Sequence, residues 1–288
     1  MKVCIFGGGG FVGRTLAQKL RERGHHVRIV SRAPAKADDE RQERWHADVY
    51  DHAQRRAAVR GQDVVINLIG ILHGDAATFQ RVHAELAEDI AQACRDESVT
   101  QFLHMSALHA ALDAPSLYLR SKGQGAERVH ALASEALRVT SFHPSVIFGV
   151  EDNFLNQFAA LLRFSPGIML LPGAQARFAP VYVGDVADAF VQALEGEPSA
   201  SRISLCGPQD YSLLELVKLT AQWSGHRRLI LPMPPFMAHL AATMLSVLPN
   251  PPLSSDNLDS MRVDSVCHAC DARQPTRLET VAPHYLRR

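Results

Sequence analysis

Cysteine is scarce in this 288-residue chain: there are five, Cys4, Cys94, Cys206, Cys267 and Cys270. So sparse and odd a set is no disulfide framework of a small secreted domain, and it points to a reducing compartment. Net charge is missing as well, with thirty basic against thirty acidic side chains. That balance excludes the broad basic face of a nucleic-acid binder. No long apolar run is present. The most apolar later stretch, residues 236–248, is 13 residues held between Pro235 and Pro249, against about 20 needed to span a bilayer. Met1-Lys2 leads straight into Val3-Cys4-Ile5-Phe6 with no cleavage pattern, so a cytoplasmic protein is expected. Lysine is rare too, five residues against twenty-five arginines. A lysine at a chemically meaningful spacing therefore carries unusual weight.

What is present is an alternation. Short β-rich runs at Val3–Phe6, Val27–Val30, Glu43–His46, Val64–Leu68, Gln101–Met105 and Arg138–Phe142 are separated by helix-period segments. Several runs are apolar throughout, as parallel strands buried on both faces are. Phe79, Val82, Leu86, Ile90 and Ala93 share one helical stripe. Helix one, Val12 to Arg23, stops at Gly24. The pattern predicts an α/β protein with a doubly wound parallel sheet of Rossmann type and a smaller irregular C-terminal substrate lobe. Residues 1–225 are read as the nucleotide-binding domain, with 145–180 contributing partly to the lobe. Residues 226–288 are read as the substrate or partner lobe, proline-rich around two short helices.

The first loop carries the strongest signal. Val3-Cys4-Ile5-Phe6-Gly7-Gly8-Gly9-Gly10-Phe11-Val12-Gly13 is strand, glycine loop and helix start, parsed as Gly7-x-x-Gly10-x-x-Gly13 or as Gly8-x-Gly10-x-x-Gly13. Such a loop lets backbone approach a pyrophosphate, whose charge then meets the amides and dipole of the first helical turn, here at Phe11 and Val12. The end of the second strand selects the dinucleotide. An acid there would hold a ribose 2′-OH, but this strand ends in Ser31-Arg32. A hydroxyl and a guanidinium suit a 2′-phosphate, so NADP(H) is expected over NAD(H); the plain alternative for Arg32 is a solvated loop arginine. Asp48 and Val49 close the third strand, where the carboxylate is read as an acceptor for an adenine amine or as the cap of the next helix. Leu68 and Gly70 follow the fourth strand, beside the middle of the cofactor.

Tyr118-Leu119-Arg120-Ser121-Lys122 puts a phenol and an ammonium at i and i+4 on one helix face. A close cation favours the phenolate, and lowering a phenol from about 10 to about 7 takes roughly 4 kcal/mol. The glycine loop followed by Tyr-x-x-x-Lys resembles the short-chain dehydrogenase/reductase superfamily, in its extended or atypical branch. Finer features look closer to the nucleotide-binding accessory subunit of respiratory complex I and its bacterial relatives. These are Phe102-Leu103-His104-Met105-Ser106-Ala107, Tyr118 to Lys122, His143-Pro144-Ser145-Val146-Ile147-Phe148-Gly149, Glu151-Asp152-Asn153-Phe154-Leu155-Asn156 and Pro180-Val181-Tyr182-Val183-Gly184-Asp185-Val186. The resemblance runs from Met1 to about Gly225.

It implies Tyr118 as acid/base, Lys122 on the nicotinamide ribose, and Pro144 and Ser145 along the nicotinamide. The substrate-holding hydroxyl of the superfamily falls on Ala107, with Ser106 one residue early. Two readings follow. One is an NADP(H) binder of the accessory-subunit type, tied to the respiratory chain or quinone metabolism, its cofactor structural. The other is a working NAD(P)H-dependent reductase or epimerase of a small carbonyl, quinone-like or sugar-derived substrate. The resemblance also brings a respiratory-complex or membrane-surface partner and a location peripheral to the inner membrane. Residues 231–248 are read as a helix covering the substrate lobe, or as the helix that meets such a partner. Cys267 and Cys270 have the spacing of half a zinc site without a second pair and are read as incidental. His104 and His143 are read as satisfied interior histidines, and Asp185 as a helix N-cap.

Overall fold

The computed structural model describes residues 1–31, 40–196, 201–245, 253–268 and 272–287. In chain order its elements are β1 (Lys2–Phe6), α1 (Phe11–Glu22), β2 (His26–Ser31), β3 (Gln42–His46), α2 (His52–Val59), β4 (Val64–Asn67), α3 (Ala76–Phe79), a π-helical turn (Gln80–Glu85), α4 (Leu86–Asp96), β5 (Gln101–Met105), α5 (Leu117–Ala131) and β6 (Arg138–Pro144). Then come β7 (Ile147–Phe148), α6 (Leu155–Phe164), β8 (Ile168–Leu171), β9 (Arg177–Phe178), β10 (Val181–Tyr182), α7 (Val183–Glu195), β11 (Ser201–Leu205), β12 (Tyr211–Ser212), α8 (Leu213–Trp223), β13 (Leu229–Pro232), α9 (Pro235–Leu245), α10 (Ser255–Ser260) and α11 (Leu278–Leu286).

The chain forms two compact units that interleave along the sequence. The first comprises Met1–Leu112, Arg120–His143 and Val186–Ile203; the second comprises Asp113–Leu119, Pro144–Asp185 and Ser204–Arg288. The first is built on a seven-stranded sheet of order β11-β6-β5-β4-β1-β2-β3, parallel from β6 through β3. This is the doubly wound sheet expected. Cys4, Phe6, Val65 and Phe102 bury one face with Leu86, Ile90 and Cys94 of α4. On α1, Leu16, Ala17 and Leu20 are buried, and Lys19 of that helix meets Asp188 of α7 at 2.6 Å. Phe142 of β6 stacks on Phe190 of α7, with ring centroids 3.9 Å apart. The strand order reverses between β1 and β4, the switch point at which open α/β sheets bind ligands.

In the second unit, β8 pairs with β13, β9 with β12, and β7 with β10. The carboxylate of Asp152, 2 % exposed, accepts from the amides of Gly149, Phe154, Leu155 and Asn156 and from the Tyr285 hydroxyl at 2.6 Å. It therefore starts α6 and anchors α11 at once. Three sequence expectations are corrected here. The last 60 residues hold three helices among the described residues, not two, because α10 is set by a capping box of Ser254 and Asn257 inside a polar stretch. Cys206 and Cys267 form a disulfide across 61 residues, a pairing that cysteine counting had set aside. Asp185 does not cap: it lies inside the first turn of α7, where its carboxylate accepts from the amide and hydroxyl of Thr276.

Candidate functional site

The glycine loop follows from close packing. Gly7 sits at φ +82°, in the left-handed region, and its carbonyl accepts from Gly10 N at 3.1 Å. Gly10 is the N-cap of α1. A Cβ on Gly13 would lie 2.5 Å from Gly7 O and 2.6 Å from Gly8 Cα, so only a hydrogen lets the helix start press against the loop. The Arg14 guanidinium donates to Gly9 O at 2.6 Å and ties the loop from outside. A Cβ on Gly7 would also meet Ile69 N and the Leu68 carbonyl carbon at 3.1 Å. The loop and the end of β4 thus border one crevice at the switch point, with the amides of the first α1 turn directed there and no intrahelical acceptor for them. The cradle fits a dinucleotide pyrophosphate. Phe11 and Val12 are half-buried in that turn.

Around the crevice, Ser31 ends β2 half-buried, and Val49 is buried while Asp48 is exposed. Arg32 lies outside the described residues. Capping α2 falls to Asp51, which accepts from Gln54 N at 2.8 Å, so Asp48 is not that cap; its carboxylate accepts from Tyr50 N. Gly70 is where β4's loop meets α5: a Cβ there would lie 3.1 Å from Lys122 Nζ and 3.6 Å from His83 Nε2. Lys122 is 4 % exposed, and its ammonium donates to Met105 O at 3.0 Å. Burial pushes it down to about 8. Ser106, also buried, donates its hydroxyl to the Lys122 carbonyl at 3.3 Å. Ala107 is buried beside it, and its carbonyl faces His143 Nδ1 at 3.1 Å.

Two histidine systems hold this region, and no sequence spacing announced them. His83 sits in the π-helical turn, a local widening of the helix often found at functional sites. Its Nε2 accepts from Ile71 N at 3.0 Å, which leaves the proton on Nδ1 to donate to Ser121 Oγ at 2.8 Å. Burial, then the Lys122 charge, pushes its pKa down to about 2, so the ring is neutral. His143 Nε2 meets Ser141 Oγ at 2.9 Å, and the same hydroxyl meets His130 Nε2 at 2.8 Å. His143 falls to about 4, mainly by burial. His104 Nδ1 accepts from the Asn67 amide at 3.3 Å, but its buried Nε2 has no partner among the described residues, so it is not fully satisfied.

Tyr118 is half-buried one turn before Lys122 on α5. Burial raises its phenol to about 12. That is opposite to the downward shift expected from a neighbouring cation, so the phenol is a proton donor and not a ready phenolate. The start of α5 is held from far away in sequence. Both oxygens of Asp256 accept from this turn, at 2.5 Å from Leu117 N and 3.1 Å from Tyr118 N. Pro144 and Ser145 are buried in the second unit. The Ser145 hydroxyl donates to Ser265 O at 2.6 Å and accepts from Ala179 N. Among the described residues no group of three His, Cys, Asp or Glu is placed to hold a metal. Cys267 is taken by its disulfide, and Cys270 lies outside the described residues.

Comparison with known proteins agrees with this geometry. Residues 3–206 match the NAD dependent epimerase/dehydratase family. The chain is 30 % identical over 273 residues to mouse mitochondrial NADH dehydrogenase (ubiquinone) 1 alpha subcomplex subunit 9, covering 91 % of this chain and 72 % of that protein. It is 28 % identical over 278 residues to the Neurospora crassa mitochondrial NADH-ubiquinone oxidoreductase 40 kDa subunit, covering 91 % and 71 %. Among solved structures, the Thermus thermophilus UDP-glucose 4-epimerase complex with NAD superposes with a TM-score of 0.68 at 19 % identity, over 82 % of this chain and 87 % of that one. That likeness shows the fold.

Proposed function

Because the chain belongs to the NAD dependent epimerase/dehydratase family, and within it to the family of the NADH dehydrogenase alpha subcomplex subunit 9 proteins, we propose that it holds NADP(H) as a long-lived, structural cofactor. In this reading it is an accessory protein of the respiratory chain or of quinone metabolism, peripheral to the inner membrane on its cytoplasmic side, with a respiratory complex as partner. Gly7, Gly10 and Gly13 with the Phe11 and Val12 amides take the pyrophosphate. Ser31 and Arg32 take the 2′-phosphate, and Asp48 and Val49 meet the adenine. Leu68 and Gly70 line the middle of the cofactor, Lys122 its nicotinamide ribose, and Pro144 and Ser145 the nicotinamide.

The observation that carries this reading is a contrast inside one unit. The phosphate cradle is complete to the level of a missing Cβ, whereas Ser106, the hydroxyl one residue before the position the superfamily uses to hold substrate, is committed to the Lys122 carbonyl and Ala107 follows it. When bound, the nicotinamide would supply hydride chemistry, but the protein's own groups favour retention over turnover. The second reading, a reductase or epimerase of a small carbonyl, quinone-like or sugar-derived substrate, is favoured by the protonated phenol of Tyr118 four residues from Lys122. There Tyr118 gives its proton to the substrate oxygen.

The rate at which bound NADPH leaves the purified protein, chased with excess nucleotide, separates the two. Turnover with a consumed cofactor needs release at about 1 per second or faster. Release over hours is expected. Release on the scale of seconds overturns the structural-cofactor reading, and absence of binding overturns both.

A further inference from the structure

One surface of the second unit has a composition that the nucleotide site does not use. In the β8–β13 pair, Leu229 lies opposite Ile168, Ile230 opposite Met169, and Leu231 opposite Leu170. Side chains alternate across a strand, so Met169, Leu171 and Ile230 enter the core with Leu162, Leu213 and Val217. Ile168, Leu170, Leu229 and Leu231 stand on the other face, 40–57 % exposed. Phe164, at the end of α6 just before β8, is 80 % exposed.

Past β13 the chain runs through Met233 and Pro234 into α9. That helix buries Ala238 and Ala242 against Leu253 and Leu258. Its outer stripe of Phe236, Leu240 and Met244, spaced by four, is 55–73 % exposed, with Met237 beside it. Nine large apolar side chains from neighbouring segments are therefore left in water. Single exposed leucines are ordinary; a set of this size marks an interaction surface.

The charge pattern says what covers it. Residues 153–184 and 216–255 contain no Asp or Glu. At the chain's average of 30 acids in 288 residues, stretches of 32 and 40 residues would hold about three and four. The same stretches carry Arg163, Arg177, Lys218, Arg227 and Arg228. The Arg163 guanidinium lies 5.8 Å over the Phe164 ring, and Arg228 donates to Ser165 O at 2.8 Å, so cations edge the exposed Phe164. Apolar side chains bordered by arginines, on stretches of chain without carboxylates, match the boundary of an anionic bilayer. There, acyl chains take the apolar groups, and each Lys or Arg near the headgroups gains about 1 kcal/mol, about fivefold in affinity. Among the described residues no helix is long and apolar enough to cross a membrane.

We propose that this surface, from Phe164 through β8 and β13 to the outer stripe of α9, docks the protein on the face of an anionic lipid bilayer. The inference deepens the peripheral location proposed above and rests on it for the choice of membrane, but not on the nucleotide.

The full chain is sedimented with vesicles of phosphatidylcholine containing phosphatidylglycerol, and separately with phosphatidylcholine alone. Binding to the anionic vesicles is expected, at least about tenfold stronger than to the neutral ones, and weakening as salt rises. Leu231→Asp with Leu240→Asp is expected to weaken it by at least about tenfold, and Arg227→Gln by about fivefold. All three positions are exposed, and circular dichroism checks that the variants fold. Three results overturn the proposal: no binding to anionic vesicles, equal binding by the double variant, or a dimer in solution that the double variant splits, since a second copy then covers the surface. NADPH release measured on the same preparation keeps the two proposals apart. Fast release with vesicle binding intact sinks only the structural-cofactor reading, and slow release without vesicle binding sinks only this one.

Discussion

Replacing Gly13 by alanine tests whether the glycine loop is a built cradle or an ordinary turn. On the present backbone the new Cβ would lie 2.5 Å from Gly7 O, 2.6 Å from Gly8 Cα and 2.7 Å from Gly8 C. Comfortable carbon contacts are about 3.5–4.0 Å, and all three neighbours are backbone, so the loop must retreat by about 1 Å. Two effects then compete. Alanine gains about 1 kcal/mol over glycine inside a helix, while overpacking costs about 1–3 kcal/mol. The net loss is therefore up to about 2 kcal/mol. At about 2–4 °C per kcal/mol for a chain of this size, Tm should fall by no more than about 8 °C.

Nucleotide binding is the more sensitive readout. Hydrogen bonds from amides to a charged phosphate contribute about 1.5–3 kcal/mol each and weaken steeply beyond 3.2 Å. A shift of about 1 Å that loses one or two of them lowers NADPH affinity by at least about tenfold. Gly9→Ala is the stability control, because a Cβ there meets nothing within 4 Å and Gly9 is not among the positive-φ glycines; its Tm should match the parent. Calorimetric unfolding and NADPH titration measure both quantities. A Gly13→Ala protein with parental Tm and parental NADPH affinity would falsify the close-approach argument, because the helix start would then yield without disturbing the loop.

Further outcomes follow from the same geometry. His83 and His143 fold with pKa values of about 2 and about 4, below the ordinary value near 6.5. The unfolded chain therefore binds more protons in acid, so stability is whole above pH 6.5 and falls below it. At pH 5 each histidine removes about 2 kcal/mol; urea midpoints equal at pH 7 and pH 5 would contradict this. Thiol titration in denaturant should find two more thiols after reduction than before, because Cys206 and Cys267 are paired, and equal counts would refute the bond. Reducing a cross-link over 61 residues should destabilise by at most about 4 kcal/mol, read as a drop in Tm. Tyr118→Phe should leave NADPH affinity within about twofold and abolish any reductase turnover; lost affinity contradicts the role given to the phenol.

The parts of this molecule that could be read from its sequence are those whose cause is local. Several of the parallel strands are short, mainly apolar runs, and the strands β1 to β6 fell within two residues of their expected ends, with Gln101–Met105 matched at both. The cradle was legible because helix start, loop and close approach all lie within Gly7 to Gly13. Tyr118 and Lys122 share a face because a helix repeats every 3.6 residues. What was missed depends on partners brought together by folding. Ser121 lies 38 residues from His83, and Asp256 lies 138 from Tyr118. Neither separation leaves a periodic trace, and a histidine or aspartate alone has no pattern.

The phenol shows where local reading misleads even with the spacing right. Four residues on a helix fix that Tyr118 and Lys122 share a face; they do not fix what the ammonium bonds. Here the Met105 carbonyl takes Lys122, 17 residues away in sequence, and burial raises Tyr118 to about 12 while lowering Lys122 to about 8. The two shifts have one cause, since a dehydrated site disfavours the phenolate and the ammonium alike. A motif therefore specifies which groups are available on one face, and the packing around it decides their charge. In this chain the packing keeps the phenol neutral and turns the Ser106 hydroxyl toward helix backbone, while the phosphate cradle requires only backbone and a hydrogen at Gly13. The pyrophosphate cradle is thus the part of the site least exposed to the changes that separate a dehydrogenase from a binder, because it carries no side chain to alter.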